Sequence, residues 1–248
     1  WLVNFMGITS SKAINRFDSQ YLNVNLKIPL DLLNIFFEKI PSGKFFQPSS
    51  AYVFEKSSIP INEKSNKGPS NVYGFCKQTI DKICLSYRQN GYFCNTGYFF
   101  SHESFLRRTD SFTRKIITKM KSEENKNELI LDGWNNLNDW SSAENIVEFI
   151  FQSLIAEKSD DYVVGSGKIY NVFEFAQSIA NTLKIYDPEK IIKGKSAIQK
   201  GYRLCDPKKA IEYLNWSPIS EINQVSKALI PKKLRILNDL PDFGLKFI

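Results

Sequence analysis

The sequence predicts an α/β protein built on a doubly wound parallel sheet, followed by a smaller α+β portion. Short apolar or aromatic segments at 2–6, 44–50 and 92–100 have the length and composition of buried strands. Longer stretches at 18–40 and 72–88 repeat apolar residues at helical spacing and lie between those strands. Strands that alternate with helices are typical of βαβ units, whose strands run parallel.

The first strand and the first helix end at recognisable residues. The apolar run 2–6 stops at Gly7. Within the helix 18–40, Pro29 predicts a kink or a boundary, because proline has no amide hydrogen for the preceding turn. The segment Pro41-Ser42-Gly43 ends this helix.

The second βαβ unit follows directly. The strand 44–50 closes in small residues, and the polar stretch 55–71, with its prolines and glycine, predicts a loop. The helix 72–88 ends at Asn90-Gly91, since a glycine after the last turn is a common helix terminator. The aromatic segment 92–100 then forms the third strand.

Beyond residue 100 the pattern changes to mixed helices and short strands. We expect helices over 110–122, 142–156 and 171–183, strands over 128–132 and 161–165, and a solvated polar loop over 121–128. A further helix begins with Asp206 as its N-cap and Pro207 as its first residue. Trp140 and Trp216 are expected to pack in the core.

Composition excludes several classes of protein. Of the 248 residues, 42% are hydrophobic, and no apolar run is long enough to cross a bilayer, so we expect a globular protein without a membrane span. The net charge of +7 suggests nucleic acid, but the lysines are scattered and form no basic run. A solvated surface explains this charge better, and we expect no nucleic-acid partner. A mildly positive surface also suits an anionic small molecule.

The cysteines and the single histidine limit the chemistry further. Cys76, Cys84, Cys94 and Cys205 form no C-x-x-C pair, which argues against a disulfide framework and against a zinc module. With His102 alone, a multi-histidine metal site is excluded, and we expect no metal. The first residues carry neither a basic segment nor a small-residue cleavage site, so the expected location is the cytoplasm.

One group of residues has the pattern of a redox site. Tyr73 and Lys77 are four apart on the predicted helix, so both side chains leave the same face about 5–6 Å apart. Ser50 ends a strand, where a parallel sheet presents its functional edge. A nearby ammonium favours the phenolate, whereas a free tyrosine with a pKa of about 10 is a poor base. The set suits oxidation of a secondary alcohol with hydride transfer to a nicotinamide. The alternative is a half-buried packing tyrosine beside a solvated lysine.

Five segments occur in a recognisable order along the chain: PSSAYVF (48–54), VYGFCK (72–77), FFSHESFLRR (99–108), NDW (138–140) and DPKKAIEYLNWSP (206–218). In this order they resemble the extended short-chain dehydrogenase/reductases that act on nucleotide sugars, and most closely the GDP-mannose 4,6-dehydratases. The resemblance implies a partial Rossmann sheet that binds NAD(P) in 1–100. It implies that 101–248 mainly binds the nucleotide sugar, interleaved around 129–165 with elements that return to the sheet.

The resemblance also implies roles for individual residues. Tyr73 would be the catalytic acid/base, Lys77 would bind the nicotinamide ribose and lower the tyrosine pKa, and Ser50 would hydrogen-bond the sugar hydroxyl. The residues implied to contact NAD or NADP are Asn4, Met6, Gly7, Tyr73, Lys77 and His102, and those implied to face the nucleotide-diphosphate sugar are Ser101, Glu103, Arg108, Arg114 and Lys115. A homo-oligomer formed through the helices 18–40 and 72–88 is also implied.

The sequence departs from the family pattern in three places. It contains no G-x-x-G-x-x-G, so we expect about 70 residues of the usual Rossmann half to be missing ahead of Trp1. The dehydratase glutamate, two residues after the serine, is Tyr52 here, with Glu55 or Glu63 as possible substitutes. Substrate-side residues also change: Ser101 replaces an asparagine, Asn138 replaces an arginine, and SAIQ at 196–199 replaces R-P-x-E.

Three hypotheses remain open from the sequence. The first is an NAD(P)-dependent, GDP-mannose 4,6-dehydratase-like enzyme that transiently oxidises the sugar C4 hydroxyl through Ser50, Tyr73 and Lys77. The second is a nucleotide-sugar epimerase or 4-keto-reductase, because Tyr52 stands where the dehydratase glutamate is expected. The third is a non-catalytic remnant that keeps the sugar-nucleotide portion.

Overall fold

A computed structural model shows how the predicted elements assemble. It describes residues 1–9, 19–121, 129–185, 192–196 and 201–230. The predicted loop at 121–128, apart from its first residue, lies outside the described residues, and so do three of the four SAIQ positions.

The described elements alternate between strands and helices in the first half and mix freely in the second. The strands are β1 (Leu2–Val3), β2 (Lys44–Ser50), β3 (Phe93–Phe99), β4 (Ser101–Glu103), β5 (Leu129–Asp132), β6 (Leu137–Asn138), β7 (Trp140–Ser142), β8 (Asp161–Val164), β9 (Tyr170–Asn171) and β10 (Ile192–Lys195). The helices are α1 (Ser19–Leu22), α2 (Ile28–Lys39), α3 (Val72–Gln89), α4 (Phe112–Lys121), α5 (Ala143–Ile155), α6 (Val172–Thr182), α7 (Lys208–Leu214) and α8 (Ile222–Ala228).

The central sheet is parallel, with strand order β1-β2-β3-β8. The pairing brings Ser50 opposite Phe99, so the carboxyl ends of β2 and β3 meet at one edge. The prediction of an α/β fold with a parallel Rossmann-type sheet is confirmed. β8 returns to the sheet from the second half of the chain, whereas β5 pairs with β10 in a separate two-stranded sheet. The division at residue 100 stays a prediction.

Successive residues of β2 explain why helices cover both faces of the sheet. Phe45 packs against α2 and α3 in one buried cluster, whereas Phe46 packs against α5 and α7 in another. Neighbouring side chains of a strand point to opposite faces, so a strand that is apolar at both positions must be covered on both sides. This arrangement is the doubly wound architecture.

Three boundaries differ from the predictions. β1 ends at Val3 because the side chain of Asn4 accepts from the Met6 amide (3.1 Å) and turns the chain out of the strand. The helix predicted over 18–40 contains a π-helical turn, Asn23–Lys27, just before Pro29, as the proline's missing amide favours. α7 begins at Lys208 with Pro207 as its N-cap, so the prediction of Pro207 as the first helical residue was wrong by one position.

A second core lies in the second half of the chain. Trp140 packs on Phe175 with ring centroids 4.6 Å apart, and the apolar faces of α4, α6 and α8 complete this cluster. Trp216 is buried in the cluster under the main sheet, so both tryptophans are core residues as predicted. Within the described ranges, every helix is too short or too polar to cross a membrane.

Candidate active site

A cavity of about 850 Å³ opens at the carboxyl edge of the parallel sheet. The segments that follow β1, β2 and β3 form one side of it, together with the first turns of α3. The segments 136–139 and 202–203 supply residues from the second half of the chain. Parallel α/β sheets bind their ligands at this edge, and Ser50, Tyr73 and Lys77 all line the cavity.

The chain after β2 brings Tyr73 close to Ser50. The Ser50 hydroxyl accepts from the Tyr52 amide (3.2 Å) and caps a 3-10 turn, Ala51–Val53. A Cβ at Gly74 would lie 2.3 Å from the Tyr52 carbonyl oxygen, so only glycine lets the first turn of α3 pack directly on this turn. Tyr73, the preceding residue, thereby lies within hydrogen-bonding reach of Ser50.

Lys77 is buried, which contradicts the alternative of a solvated lysine. Its ammonium donates to the carbonyl oxygen of Pro48 at 2.9 Å and lies 5.7 Å from the centre of the Tyr73 ring. Burial lowers the pKa of Lys77. A lysine in this position keeps two further N–H donors for a ligand in the cavity.

The electrostatics of Tyr73 differ from the expectation. Burial raises its pKa to about 12, while the hydrogen bond with Ser50 acts in the opposite direction. A lowered pKa was expected from Lys77, but desolvation of the hydroxyl outweighs the distant ammonium. In this state of the protein Tyr73 is a proton donor at neutral pH.

A buried carboxyl group lies behind the Tyr73 and Lys77 pair. Asp81 follows Lys77 by one helical turn and accepts from the Ser49 hydroxyl (3.0 Å), while its second oxygen has no partner among the described residues. Burial raises the pKa of Asp81 to about 7, with Lys67 and Ser49 as the main opposing influences. The sequence reasoning did not single out this residue, although its i, i+4 spacing from Lys77 is visible in the sequence.

Residues implied to contact the dinucleotide lie beside this set. Asn4, Met6, Gly7 and His102 all line the cavity. The Asn4 amide is fixed by Gln47 (3.0 Å), and Nδ1 of His102 bonds with the Phe100 carbonyl oxygen (2.9 Å). That these groups, with Lys77 and Tyr73, contact a nicotinamide dinucleotide stays a prediction. Among the described residues that line the cavity, no glycine-rich turn opens a helix toward a pyrophosphate.

The substrate-side residues are distributed differently from the expectation. Ser101 lines the cavity, but Glu103, Arg108, Arg114 and Lys115 do not. Glu103 is buried and binds Thr113 (2.8 Å) and Arg107 (3.2 Å). Arg108 is 84% exposed and pairs with Asp110, while Arg114 and Lys115 lie on α4. Adjacent positions in a turn point in different directions, which sequence spacing does not show.

The cavity contains cations that the sequence analysis did not select. Lys56, Arg107 and Arg203 line it. The resemblance in the motif FFSHESFLRR implied that Arg108 faces the nucleotide sugar, whereas the neighbouring Arg107 is the one that lines the cavity. Arg203 stands on a segment without a recognisable motif, so its approach to Tyr52 had no signal in the sequence.

Carboxylates are scarce around the cavity. Asp139 is the one acidic residue among the described lining residues. Its oxygens accept from the amides of Ser166 (2.7 Å), Gly167 (3.1 Å) and Cys205 (3.0 Å), and from the Ser166 hydroxyl. Glu63, one of the two suggested substitutes for the dehydratase glutamate, accepts from the Val163 amide (2.8 Å) outside the cavity. Glu55, the other, packs against Gly68, also outside the cavity.

The parallel sheet, with a cavity at its carboxyl edge, is the Rossmann-type fold of the short-chain dehydrogenase/reductases of the epimerase/dehydratase class. A sequence model of the family described as GDP-mannose 4,6 dehydratase matches residues 17–229, and the chain belongs to that family.

Two curated relatives illustrate the match. The chain is 25% identical over 226 residues to a GDP-mannose 4,6 dehydratase of Dictyostelium discoideum, covering 79% of this chain and 62% of the relative. It is 31% identical over 163 residues to one of Drosophila melanogaster, covering 64% of this chain and 40% of the relative. The chain therefore spans less than two thirds of the length of these relatives.

Solved structures show the same fold. RMD from Pseudomonas aeruginosa, complexed with NADPH, superposes with a TM-score of 0.81 at 20% identity, covering 92% of this chain and 78% of that one. A UDP-N-acetylglucosamine 4-epimerase from Methanobrevibacter ruminantium, in complex with UDP-N-acetylmuramic acid, superposes with a TM-score of 0.79 at 17% identity, covering 92% and 74%.

Proposed function

We propose that this protein carries out NAD(P)-dependent modification of a nucleotide-diphosphate sugar, of the GDP-mannose type, by oxidoreduction at the sugar C4 position. The observation that carries the proposal is the grouping of Ser50, Tyr73 and buried Lys77 beside one cavity. A nicotinamide, when bound, supplies the hydride donor or acceptor. The relatives named GDP-mannose 4,6 dehydratase support the class of substrate.

The chain's own residues supply the proton chemistry. Tyr73 transfers a proton to or from the sugar oxygen, and Ser50 hydrogen-bonds the same oxygen, so that both groups orient the reacting carbon. Lys77 binds ribose hydroxyls through the donors that Pro48 leaves available. With its pKa raised, Tyr73 is protonated at neutral pH, which is the form that can donate to a carbonyl oxygen.

The scarcity of carboxylates in the cavity wall favours a second candidate, which is epimerase or 4-keto-reductase activity without loss of water. Dehydration needs a base for the proton next to the transient ketone. The resemblance puts that base at Tyr52, and the cavity's one described carboxylate, Asp139, is fully engaged with N–H and O–H donors. Among the described residues the site therefore suits reactions that need only Tyr73 as acid and base.

The test compares Tyr73→Phe with Tyr87→Phe, a tyrosine of the same helix outside the cavity. Hydride transfer is measured with GDP-mannose and NAD(P)⁺, and with a 4-keto nucleotide sugar and NAD(P)H. We expect Tyr73→Phe to lose about 10²–10⁴-fold in rate, and Tyr87→Phe to keep it. Full turnover in Tyr73→Phe would overturn the assignment, and no turnover in the wild type would favour the remnant.

We also propose a cytoplasmic location and self-association through α2 and α3. All four cysteines are buried free thiols, as in reducing compartments.

Ile35 on α2 and Leu85 on α3 are large apolar residues exposed to solvent. A change of Ile35→Glu is expected to shift the mass measured by light scattering to that of the monomer. A wild type that is already monomeric would exclude self-association.

A further inference from the structure

Arg203 is held in the cavity wall by a short segment of extended chain. Tyr202 and Ser57 exchange both of their main-chain hydrogen bonds (2.9 and 3.2 Å), and Cys205 pairs with Ile61. The Nε and Nη2 groups of Arg203 both donate to the carbonyl oxygen of Phe54, at 3.3 and 3.1 Å. The guanidinium is therefore anchored on one side only.

The guanidinium also lies over an aromatic ring that lines the cavity. Its central carbon lies 4.9 Å from the centre of the Tyr52 ring, and that ring makes an edge contact with Tyr73 at 6.2 Å. The guanidinium is thus one aromatic ring away from the proposed catalytic tyrosine. A guanidinium held over an aromatic ring is stabilised by the ring's electrons and loses less freedom when its remaining N–H groups bind a ligand.

The cation has no counter-charge among the described residues. Arg203 makes no ion pair there, and its Nη1 group has no acceptor. Lys56, which also lines the cavity and packs over Gly201, adds a second positive charge at this end. The one described lining carboxylate, Asp139, is saturated with other donors and does not pair with Arg203.

We propose that Arg203, which lies over the Tyr52 ring, binds an oxyanion of the substrate with the help of Lys56 and determines which nucleotide sugars the cavity accepts. The inference rests on the proposed function, because it takes the bound molecule to be the substrate. Binding of an anion at Arg203 can nevertheless be measured without turnover. A guanidinium fork matches the paired oxygens of a phosphate or a carboxylate. The oxyanion is either the diphosphate of the nucleotide or an acidic group on the sugar.

The experiment measures binding by titration calorimetry with four probes: inorganic pyrophosphate, GDP, GDP-mannose and UDP-glucuronic acid. For Arg203→Gln we expect affinity to fall about tenfold, as for loss of one charged hydrogen-bonding partner. A loss shared by pyrophosphate and all three nucleotides assigns the diphosphate. A loss confined to UDP-glucuronic acid assigns a sugar carboxylate.

Three further variants separate loss of the anion site from loss of the fold. Lys56→Gln changes an exposed residue. It is expected to lower, about threefold, the affinity for whichever probes Arg203→Gln binds less tightly. Lys208→Gln removes a charge five positions further along, outside the cavity, and is the matched control with unchanged affinity. Arg203→Lys keeps a donor for the Phe54 carbonyl oxygen and should bind with intermediate affinity.

The inference and the proposed function fail in different ways. Wild-type binding of pyrophosphate that Arg203→Gln loses, without any hydride transfer, would retain the anion site and remove the function. Normal turnover with KM and all four affinities unchanged in Arg203→Gln would retain the function and overturn the inference. Failure of the wild type to bind any of the four probes would also overturn it.

Discussion

The ammonium of Lys77 donates a 2.9 Å hydrogen bond to the carbonyl oxygen of Pro48, which joins α3 to β2 two residues before Ser50. This bond orients the lysine beside Tyr73 and links the helix to the strand that carries the serine. The two halves of the proposed catalytic set are thus held by one buried contact. Its removal is expected to affect both stability and activity.

Lys77→Met tests this contact. We expect hydride transfer to fall below detection and the free energy of unfolding to drop by about 1–3 kcal/mol, because the charge-assisted hydrogen bond from the Lys77 ammonium is lost, although Gln47 still donates to the Pro48 carbonyl oxygen. Urea denaturation and the nicotinamide assay measure the two effects. Lys82→Met, an exposed position on the same helix, should change neither. Equal stability and activity in the two variants would contradict the role given to Lys77.

The pH dependence of the reaction follows from the raised pKa of Tyr73. With a pKa of about 12 the hydroxyl is protonated through the neutral range, and the deprotonated fraction grows with pH. Initial rates of alcohol oxidation should therefore rise about tenfold per pH unit from about pH 7 to about pH 9, while ketone reduction stays nearly level. An oxidation rate that is already constant above about pH 7 would indicate that the bound state lowers the pKa of Tyr73.

Asp81 should make the protein less stable as pH rises. Its pKa is raised from 3.8 to about 7 in the folded state, so between these values the native protein binds more protons than the unfolded chain. The free energy of unfolding therefore falls as pH increases across that interval. Asp81→Asn should flatten this dependence in urea denaturation, leaving the smaller slope from Asp139, whose pKa is raised to about 6. An unchanged slope would show that Asp81 titrates normally.

Asp139 is expected to be a structural residue. Its two oxygens accept four hydrogen bonds that hold the segment after β8 and the strand-like segment before α7. In Asp139→Asn the amide group faces N–H donors, so unfolding should become easier by about 3 kcal/mol. Asp110→Asn removes an exposed pair with Arg108 and should cost less than about 0.5 kcal/mol. Similar losses in both variants would contradict this role.

Tyr52→Glu restores the carboxylate that the resemblance to dehydratases leads one to expect. The site is 43% exposed, so the new side chain has room and solvent. With GDP-mannose and NAD(P)⁺ we expect a 4-keto-6-deoxy product from the variant and none from the wild type, because the variant has a base for the adjacent proton. Mass spectrometry detects the loss of water. Product from the wild type would show that another group acts as the base.

The regular elements were predictable because they depend on neighbours in the sequence. The boundaries of α3 and β2 follow from periodicity, from the glycine after Asn90 and from the small residues at the end of the strand. The approach of Ser50 to Tyr73 was predicted as well, since strand order in a βαβ unit brings a strand end to the next helix start. The close packing that Gly74 permits was not predictable from its position.

The sequence alone predicted the α/β class and the grouping of Ser50, Tyr73 and Lys77, and its resemblance to dehydratases implied that Tyr52 stands where a glutamate is expected. Only the tertiary structure decided that Arg203 lies over the Tyr52 ring, that Arg107 rather than Arg108 lines the cavity, and that Asp139 is saturated with donors. Burial also reversed the expected direction of the Tyr73 pKa shift. Contacts between distant segments and the desolvation of polar groups depend on how the whole chain packs. A local sequence pattern does not contain that information.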